Sequence, residues 1–323
     1  MTSSNTTPAL DIDLSVQIGS MRLKNPLIAA SGCFGYGLEY RDVLDLSTLG
    51  GIAVKGLFLE EREGHPPPRI VETPAGMLNA IGLQGIGVHR FVRERLPELR
   101  QYDTAVIVNI CGSSLDEYVE VAKVLSDHEG VSAIEINISC PNIKAGGIQF
   151  GCSLTGTSDV VGAVRRATHL PIIPKLTPNV TDVASFAKAS AEAGADAVSL
   201  VNTFLAMAID VETRRPKLSN VMGGLSGPAI RPIAVRMVYE CRQAVTIPVV
   251  GMGGIMTGTD ALEFIIAGAN AVQIGTANFT DPFVWGKVER EIASYMRRHG
   301  VRSVGDLVGT VATKKPEPTC NNS

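Results

Sequence analysis

The sequence predicts an α/β protein whose single domain is a (β/α)8 barrel. Three observations carry that prediction. Eight short apolar or β-branched runs recur along the chain, at 26–30, 51–55, 105–110, 133–138, 171–176, 197–201, 248–251 and 271–275. Several are hydrophobic almost throughout, such as Ala105-Val106-Ile107-Val108-Asn109-Ile110, as expected of parallel strands buried on both faces. Amphipathic stretches of helical spacing lie between them. Strand–helix alternation repeated eight times closes into a TIM barrel. A doubly wound sheet is the structural alternative, but it puts its Gly-rich phosphate turn after the first strand, and here such turns come late.

Taken in order, residues 1–13 are polar and read as a flexible extension. The segment 14–23 alternates around Gly19-Ser20 as a β-hairpin ahead of the barrel. The connections after the second and sixth strands, 56–87 and 202–227, are too long to be simple loops, and insertions of this length usually carry function. The stretch 182–193 reads as a helix opened by Thr181 or Asp182 and closed by Gly194, and 231–245 and 260–267 read as two more. The barrel domain is expected over 14–313, with a disordered Lys/Pro/Asn-rich tail at 314–323.

Composition excludes several functions. The 45% hydrophobic content supports a core, and a net charge of -3 gives no reason to expect nucleic-acid or acidic-membrane binding. The six cysteines contain no C-x-x-C pair and the five histidines no H-E-x-x-H, so no metal, iron–sulfur or disulfide framework is expected. No signal peptide or bilayer-length apolar run is visible, and a cytoplasmic protein is expected.

In a barrel, polar residues at the carboxyl ends of strands are candidate site residues. Here they are Ser31, Lys55, Asn109, Asn137, Lys175 and Asn202. Any one of them could be an ordinary loop residue. Six around one ring supply amides and fixed positive charge without paired carboxylates. That set suits an anionic heterocycle rich in hydrogen-bonding groups and does not suit glycoside hydrolysis. Gly253-Gly254 and Gly275-Thr276 follow the seventh and eighth strands, where barrels commonly bind phosphate on bare backbone and a helix N-terminus.

Among the thiols, Cys140 stands just past the fourth strand at the start of a Gly-rich loop, placed to act as nucleophile or base. Cys33 and Cys152 also fall on mouth loops and stay rivals, whereas Cys111 and Cys241 sit inside apolar patterns. No histidine ends a strand, so base catalysis by a lone cysteine is more plausible than acyl transfer.

Four motifs together make the sequence recognisable: Asn137-Ile138-Ser139-Cys140-Pro141-Asn142, Asn79-Ala80-Ile81-Gly82-Leu83-Gln84, Gly223-Gly224-Leu225-Ser226-Gly227-Pro228 and Val250-Gly251-Met252-Gly253-Gly254-Ile255. The chain resembles the catalytic subunit of class 1B dihydroorotate dehydrogenase, a flavoprotein of pyrimidine biosynthesis, from about residue 14 to about residue 311. The resemblance implies oxidation of (S)-dihydroorotate to orotate, with the hydride going to FMN and a proton to Cys140. It implies an FMN site at Ser31, Lys55, Gly56, Asn109, Asn137, Lys175, Val201, Gly227, Gly253, Gly254, Gly275 and Thr276. It also implies a substrate site at Lys55, Asn79, Ala80, Ile81, Gly82, Leu83, Asn137, Asn202 and Thr203. Electrons would pass to NAD through a second subunit carrying FAD and a [2Fe-2S] cluster, in a heterotetramer of two catalytic and two electron-transfer subunits. The unclustered cysteines fit that division. Gln84-Gly85-Ile86-Gly87 departs from the family, which more often has Asn-Pro after the Gln, and the extension before Leu14 is longer than usual.

Three alternatives stand beside this reading. They are a class 1A-like enzyme reducing fumarate unaided, another FMN barrel of the dihydropyrimidine dehydrogenase type, and an inactive barrel serving as a scaffold. Against the first, Met207-Ala208-Ile209-Asp210 and 223–230 resemble the 1B branch.

Overall fold

The computed structural model describes residues 10–139 and 150–313. A hairpin of β1 (Val16–Ile18) and β2 (Met21–Leu23) comes first, turning at Gly19 with φ +58°. Its inward residues, Ile18 and Leu23, are fully buried. Next come β3 (Leu27–Ala29) and β4 (Gly51–Leu57), then β5 (Ile70–Thr73) and β6 (Gly76–Asn79) in the first long connection. Helices α1 (Val88–Glu94) and α2 (Leu96–Leu99) lead to β7 (Ala105–Ile110), α3 (Leu115–Ser126) and β8 (Ala133–Asn137). After them follow α4 (Leu154–Ala167), β9 (Ile172–Lys175), α5 (Val183–Glu192) and β10 (Val198–Leu200).

The second long connection holds β11 (Phe204–Ala206), β12 (Ile209–Asp210), β13 (Arg215–Pro216) and β14 (Gly223–Ser226). The chain ends through α6 (Arg231–Ala244), β15 (Val249–Met252), α7 (Gly258–Ala267), β16 (Ala271–Ile274), α8 (Ala277–Thr280) and α9 (Val284–His299).

Strands β3, β4, β7, β8, β9, β10, β15 and β16 form the closed parallel barrel, with β16 pairing back onto β3. These are the eight runs the sequence predicts, each within about two residues of its expected ends. Local chemistry sets the helices around them. Asp182 accepts from Ser185 N at 3.3 Å to open α5, and Thr257 with Asp260 makes a reciprocal cap on α7. Gly300, at φ +68°, closes α9, and Trp285 of that helix is buried. Among the described residues, no helix is long and apolar enough to cross a membrane. Residues 1–9 and the tail expected at 314–323 lie outside the described residues.

The two insertions are not independent loops. They share one sheet in the order β11-β14-β6-β5, with Leu225 opposite Leu78 and Gly224 opposite Asn79. Leu78, Ala80 and Leu218 bury a small apolar cluster of their own. The pairing depends on glycine where strands meet closely. At Gly76 (φ +153°) a methyl group would run into the Ser226 carbonyl of β14, and at Gly224 it would meet the Thr203 side chain. Gly76→Ala is therefore expected to cost about 1–3 kcal/mol locally. Amides of 70–79 and 223–226 should exchange faster with solvent while barrel amides keep their protection, as followed by hydrogen exchange.

Candidate active site

The carboxyl ends of the barrel strands gather the candidate residues the sequence singles out. Asn137, the last residue of β8, stands opposite Lys175, the last of β9, and Lys175 stands opposite Ser199 of β10. Asn137 Oδ1 accepts from Ser139 N at 3.2 Å and from Asn202 Nδ2 at 3.4 Å. Its backbone carbonyl takes the Tyr118 hydroxyl at 2.8 Å. Asn202 Oδ1 in turn accepts from Thr203 N at 2.8 Å. The Asn202 amide is thus held against Asn137 at the carboxyl ends of β8 and β10.

Sequence reasoning missed the residue at the centre. Glu135 of β8 is completely buried. It accepts from Asn109 Nδ2 of β7 at 2.6 Å, Gln273 Nε2 of β16 at 2.6 Å and Ser199 Oγ at 2.9 Å. The Lys175 ammonium lies 3.6 Å away. A buried carboxylate is tolerable only with such partners, because losing hydration costs several kcal/mol. A signal existed: Glu135 interrupts Ala133-Ile134-Glu135-Ile136, and Ser199 and Gln273 interrupt two other buried strands. With both amides donating to Glu135, Gln273 Oε1 is left buried without a partner among the described residues, as is Asn278 Oδ1.

Lys55, near the end of β4, is half-buried and makes no ion pair among the described residues. Burial lowers its pKa, Arg69 lowers it further, and Glu39 partly opposes both. Gly56 beside it lets Asn109 approach, since a Cβ there would lie 2.9 Å from Asn109 Oδ1.

The loop of Asn79, Ala80, Ile81, Gly82 and Leu83 is tied from outside. His65 N donates to Ile81 O at 3.0 Å, Ala80 N to Arg69 O at 2.8 Å, and Arg69 Nη2 to Gln84 Oε1 at 3.0 Å. Gly82 and Leu83 both take positive φ, 77° and 56°. The unusual Gly85-Ile86 pair has a local reason. Gly85 exchanges backbone hydrogen bonds with Arg62, and Ile86 N donates to the Tyr36 hydroxyl at 3.1 Å, which a proline could not do.

Ser31 follows β3, and Val201 follows β10 with its N–H on Met252 O at 3.1 Å. Gly227 (φ +99°), Gly253 (φ +129°) and Gly254 (φ +76°) turn the chain beside it. At Gly254 a Cβ would strike Gly227 O at 2.6 Å. Gly275 follows β16, and the Thr276 hydroxyl next to it donates to Ser226 Oγ at 2.8 Å. Asn179 Nδ2 reaches Thr203 O at 3.1 Å and its Oδ1 accepts from Leu205 N at 2.9 Å, joining the β9 loop to the second insertion. Sequence reasoning did not single out Asn179 either.

Cys140 lies outside the described residues. Its two rivals differ in setting. Burial pushes the Cys33 thiol up to about 11, against the pull of Lys175, so it holds little thiolate near neutral pH. Cys152 is exposed just ahead of α4. Burial likewise pushes Cys241 up to about 12.

A family model described as dihydroorotate dehydrogenase matches residues 13–296. The chain belongs to the dihydroorotate dehydrogenase family. Proteins named dihydroorotate dehydrogenase B (NAD(+)), catalytic subunit, are similar to it over most of their length. That of Bacteroides thetaiotaomicron is 54% identical over 299 residues, covering 93% of this chain and 99% of that protein. That of Geotalea daltonii is also 54% identical, covering 93% and 98%. The class 1B resemblance read from the motifs agrees with these names. A crystal structure of DHODH in complex with ferulenol from Eimeria tenella superposes with a TM-score of 0.79 at 21% identity, covering 92% of this chain and 88% of that one, which shows the shared fold.

Two predictions follow from the geometry. Lys55 binds its proton less tightly folded than unfolded, where the ordinary value is 10.5. Between the lowered value and 10.5 the unfolded chain holds more protons, so this group's contribution to stability rises with pH through that window. Below it the charged lysine is a cost. Ligand-free Lys55→Met should therefore melt within about 2 °C of the parent or above it near neutral pH; a large loss in a thermal melt would contradict this. In the native protein near pH 8, a thiol reagent should modify Cys152 and spare Cys33, Cys111 and Cys241, as read by peptide mass mapping.

Proposed function

We propose that this chain is the catalytic subunit of an NAD-linked, class 1B dihydroorotate dehydrogenase, oxidising (S)-dihydroorotate to orotate in pyrimidine biosynthesis. The observation that carries the reading is the ring of amides and ammonium groups at the carboxyl ends of the strands, in a chain of this family. Both a flavin's pyrimidine edge and an orotate ring alternate N–H and C=O groups, and this ring of side chains offers donors and acceptors to match.

FMN fits the residues present. Gln273 Oε1 and Asn278 Oδ1 are buried acceptors without partners, Lys175 is a buried cation, and the turns at Gly253-Gly254 and Gly275-Thr276 stand after the last two strands. Ser31, Lys55, Gly56, Asn109, Asn137, Val201 and Gly227 complete the set we assign to it. Bound FMN would supply the acceptor for the hydride leaving C6 of dihydroorotate. Lys175 would supply fixed positive charge to the bound flavin.

Lys55 faces the substrate carboxylate in this reading. A half-buried ammonium without an ion-pair partner gains most from an anionic ligand. Asn79, Asn137 and Asn202 orient the ring with Ala80, Ile81, Gly82, Leu83 and Thr203, so the bond to be oxidised is held in one pose. Cys140, as thiolate, takes the C5 proton. The raised pKa of the Cys33 thiol supports leaving that role to Cys140.

The reaction is carried by one barrel domain, 14–313, with 1–13 and 314–323 given no part in it. Electrons leave through a partner subunit bearing FAD and a [2Fe-2S] cluster, in a heterotetramer of two subunits of each kind. The catalytic-subunit names of the relatives and the scattered thiols of this chain support that division. The scattered thiols Cys33, Cys152 and Cys241 support a cytoplasmic location.

Purified chain with FMN should reduce NAD with dihydroorotate only when the partner subunit is added, measured by NADH absorbance. Unaided turnover with fumarate at a comparable rate would assign it instead to the fumarate-dependent class. Cys140→Ser should keep its FMN yet reduce it with dihydroorotate about 10²–10⁴-fold more slowly near neutral pH, in stopped flow. Near-normal reduction would remove Cys140 from the mechanism.

A further inference from the structure

Glu135 has no part in the residue set assigned to cofactor or substrate, yet its carboxylate is held by four partners in the barrel interior. It draws on four other strands at once: Asn109 of β7, Lys175 of β9, Ser199 of β10 and Gln273 of β16. Three of those contacts are neutral hydrogen bonds of 2.6–2.9 Å, which fix where the carboxylate sits. The fourth partner is Lys175, itself buried at 5% exposure. Holding an ammonium this far from water is costly unless an anion stands beside it. Among the described residues, Lys175 has Glu135 on β8 as its ion-pair partner, and the Cys33 thiol after β3 lies within reach of its charge. Strands β7, β10 and β16 face Glu135 only with neutral Asn109, Ser199 and Gln273.

We propose that Glu135 is a positioning residue that keeps Lys175 protonated at the flavin, so that flavin reduction requires no proton uptake at that lysine. The inference rests on the placement of Lys175 at the flavin made above. In the parent protein the lysine's charge is already present before electrons arrive. Without Glu135, Lys175 would lose its proton in the oxidised protein and regain it only when the flavin gains negative charge. The cost of reduction would then include one more proton.

The test is the midpoint potential of the FMN-loaded protein against pH, across the neutral and mildly alkaline range, for the parent, Glu135→Gln and Lys175→Met. Glu135→Gln should show a steeper fall of potential with pH, by one additional proton per two electrons over part of that range. Lys175→Met should shift the potential to more negative values and keep the parent's slope. A Glu135→Gln slope equal to the parent's, with Lys175→Met shifted as expected, overturns the inference alone. An unshifted potential in Lys175→Met removes Lys175 from the flavin and overturns the inference with that reading.

A second measurement needs no flavin. Thermal melts of the FMN-free protein should show a clear loss in Glu135→Gln that is mostly recovered in Glu135→Gln/Lys175→Met, because the double variant holds no buried amine that must be either discharged or left without an anion. The same comparison decides the matter if Glu135→Gln alone does not fold. A double variant no better than the single one overturns the pairing on which the inference stands.

Discussion

The Glu135 carboxylate is the constraint on which the site depends. One buried anion binds side chains from β7, β9, β10 and β16, and itself sits on β8. Breaking a buried pair by removing one partner typically costs about 3–5 kcal/mol, because a charge is left without hydration. The eight strands could satisfy their backbone in more than one stagger, but this cluster forms only in the register that puts Asn109 beside Glu135 and Lys175 beside Ser199. The same contact turns two amides so that their N–H groups face inward. Their carbonyl oxygens are left for other partners, and Gln273 Oε1 has none among the described residues.

Above that layer the two insertions act as one unit. Strand β6 ends at Asn79, whose Nδ2 donates to Gly224 O at 3.3 Å, and β11 begins two residues after Asn202. The shared sheet therefore carries both segments we assign to the substrate, 79–83 and 202–203. Neither can move far without disturbing the other. Several apolar side chains of the second insertion stay exposed, among them Leu205, Met207 and Ile209, so this sheet is held by backbone pairing and a small cluster more than by a deep core.

Much of the fold was legible because barrel strands buried on both faces write themselves as apolar runs. Strand β7 was read to its exact limits, and the cap at Asp182 was visible as sequence chemistry. The polar residues at strand ends were legible for the same reason, since they break those runs. Glu135 was passed over although it breaks one too, because its meaning lies in partners up to 138 residues away. The insertion sheet was hidden similarly. Strands β5 and β6 give weak β signals alone, and the pairing of β6 with β14 joins residues roughly 150 apart through glycines whose role appears only when the strands meet. The Gly85-Ile86 departure also becomes explicable only once Tyr36 is seen to accept from Ile86.

These observations describe a barrel whose interior charge layer underlies a mouth of amides and ammonium groups, which we propose to hold a flavin and an anionic pyrimidine. The most direct test is anaerobic mixing of the FMN-loaded chain, without any partner, with dihydroorotate while following the flavin absorbance. The account predicts loss of the yellow colour in a single turnover and appearance of one orotate per flavin. A flavin that stays oxidised with dihydroorotate but is bleached by a dihydropyrimidine lacking the carboxylate would contradict it.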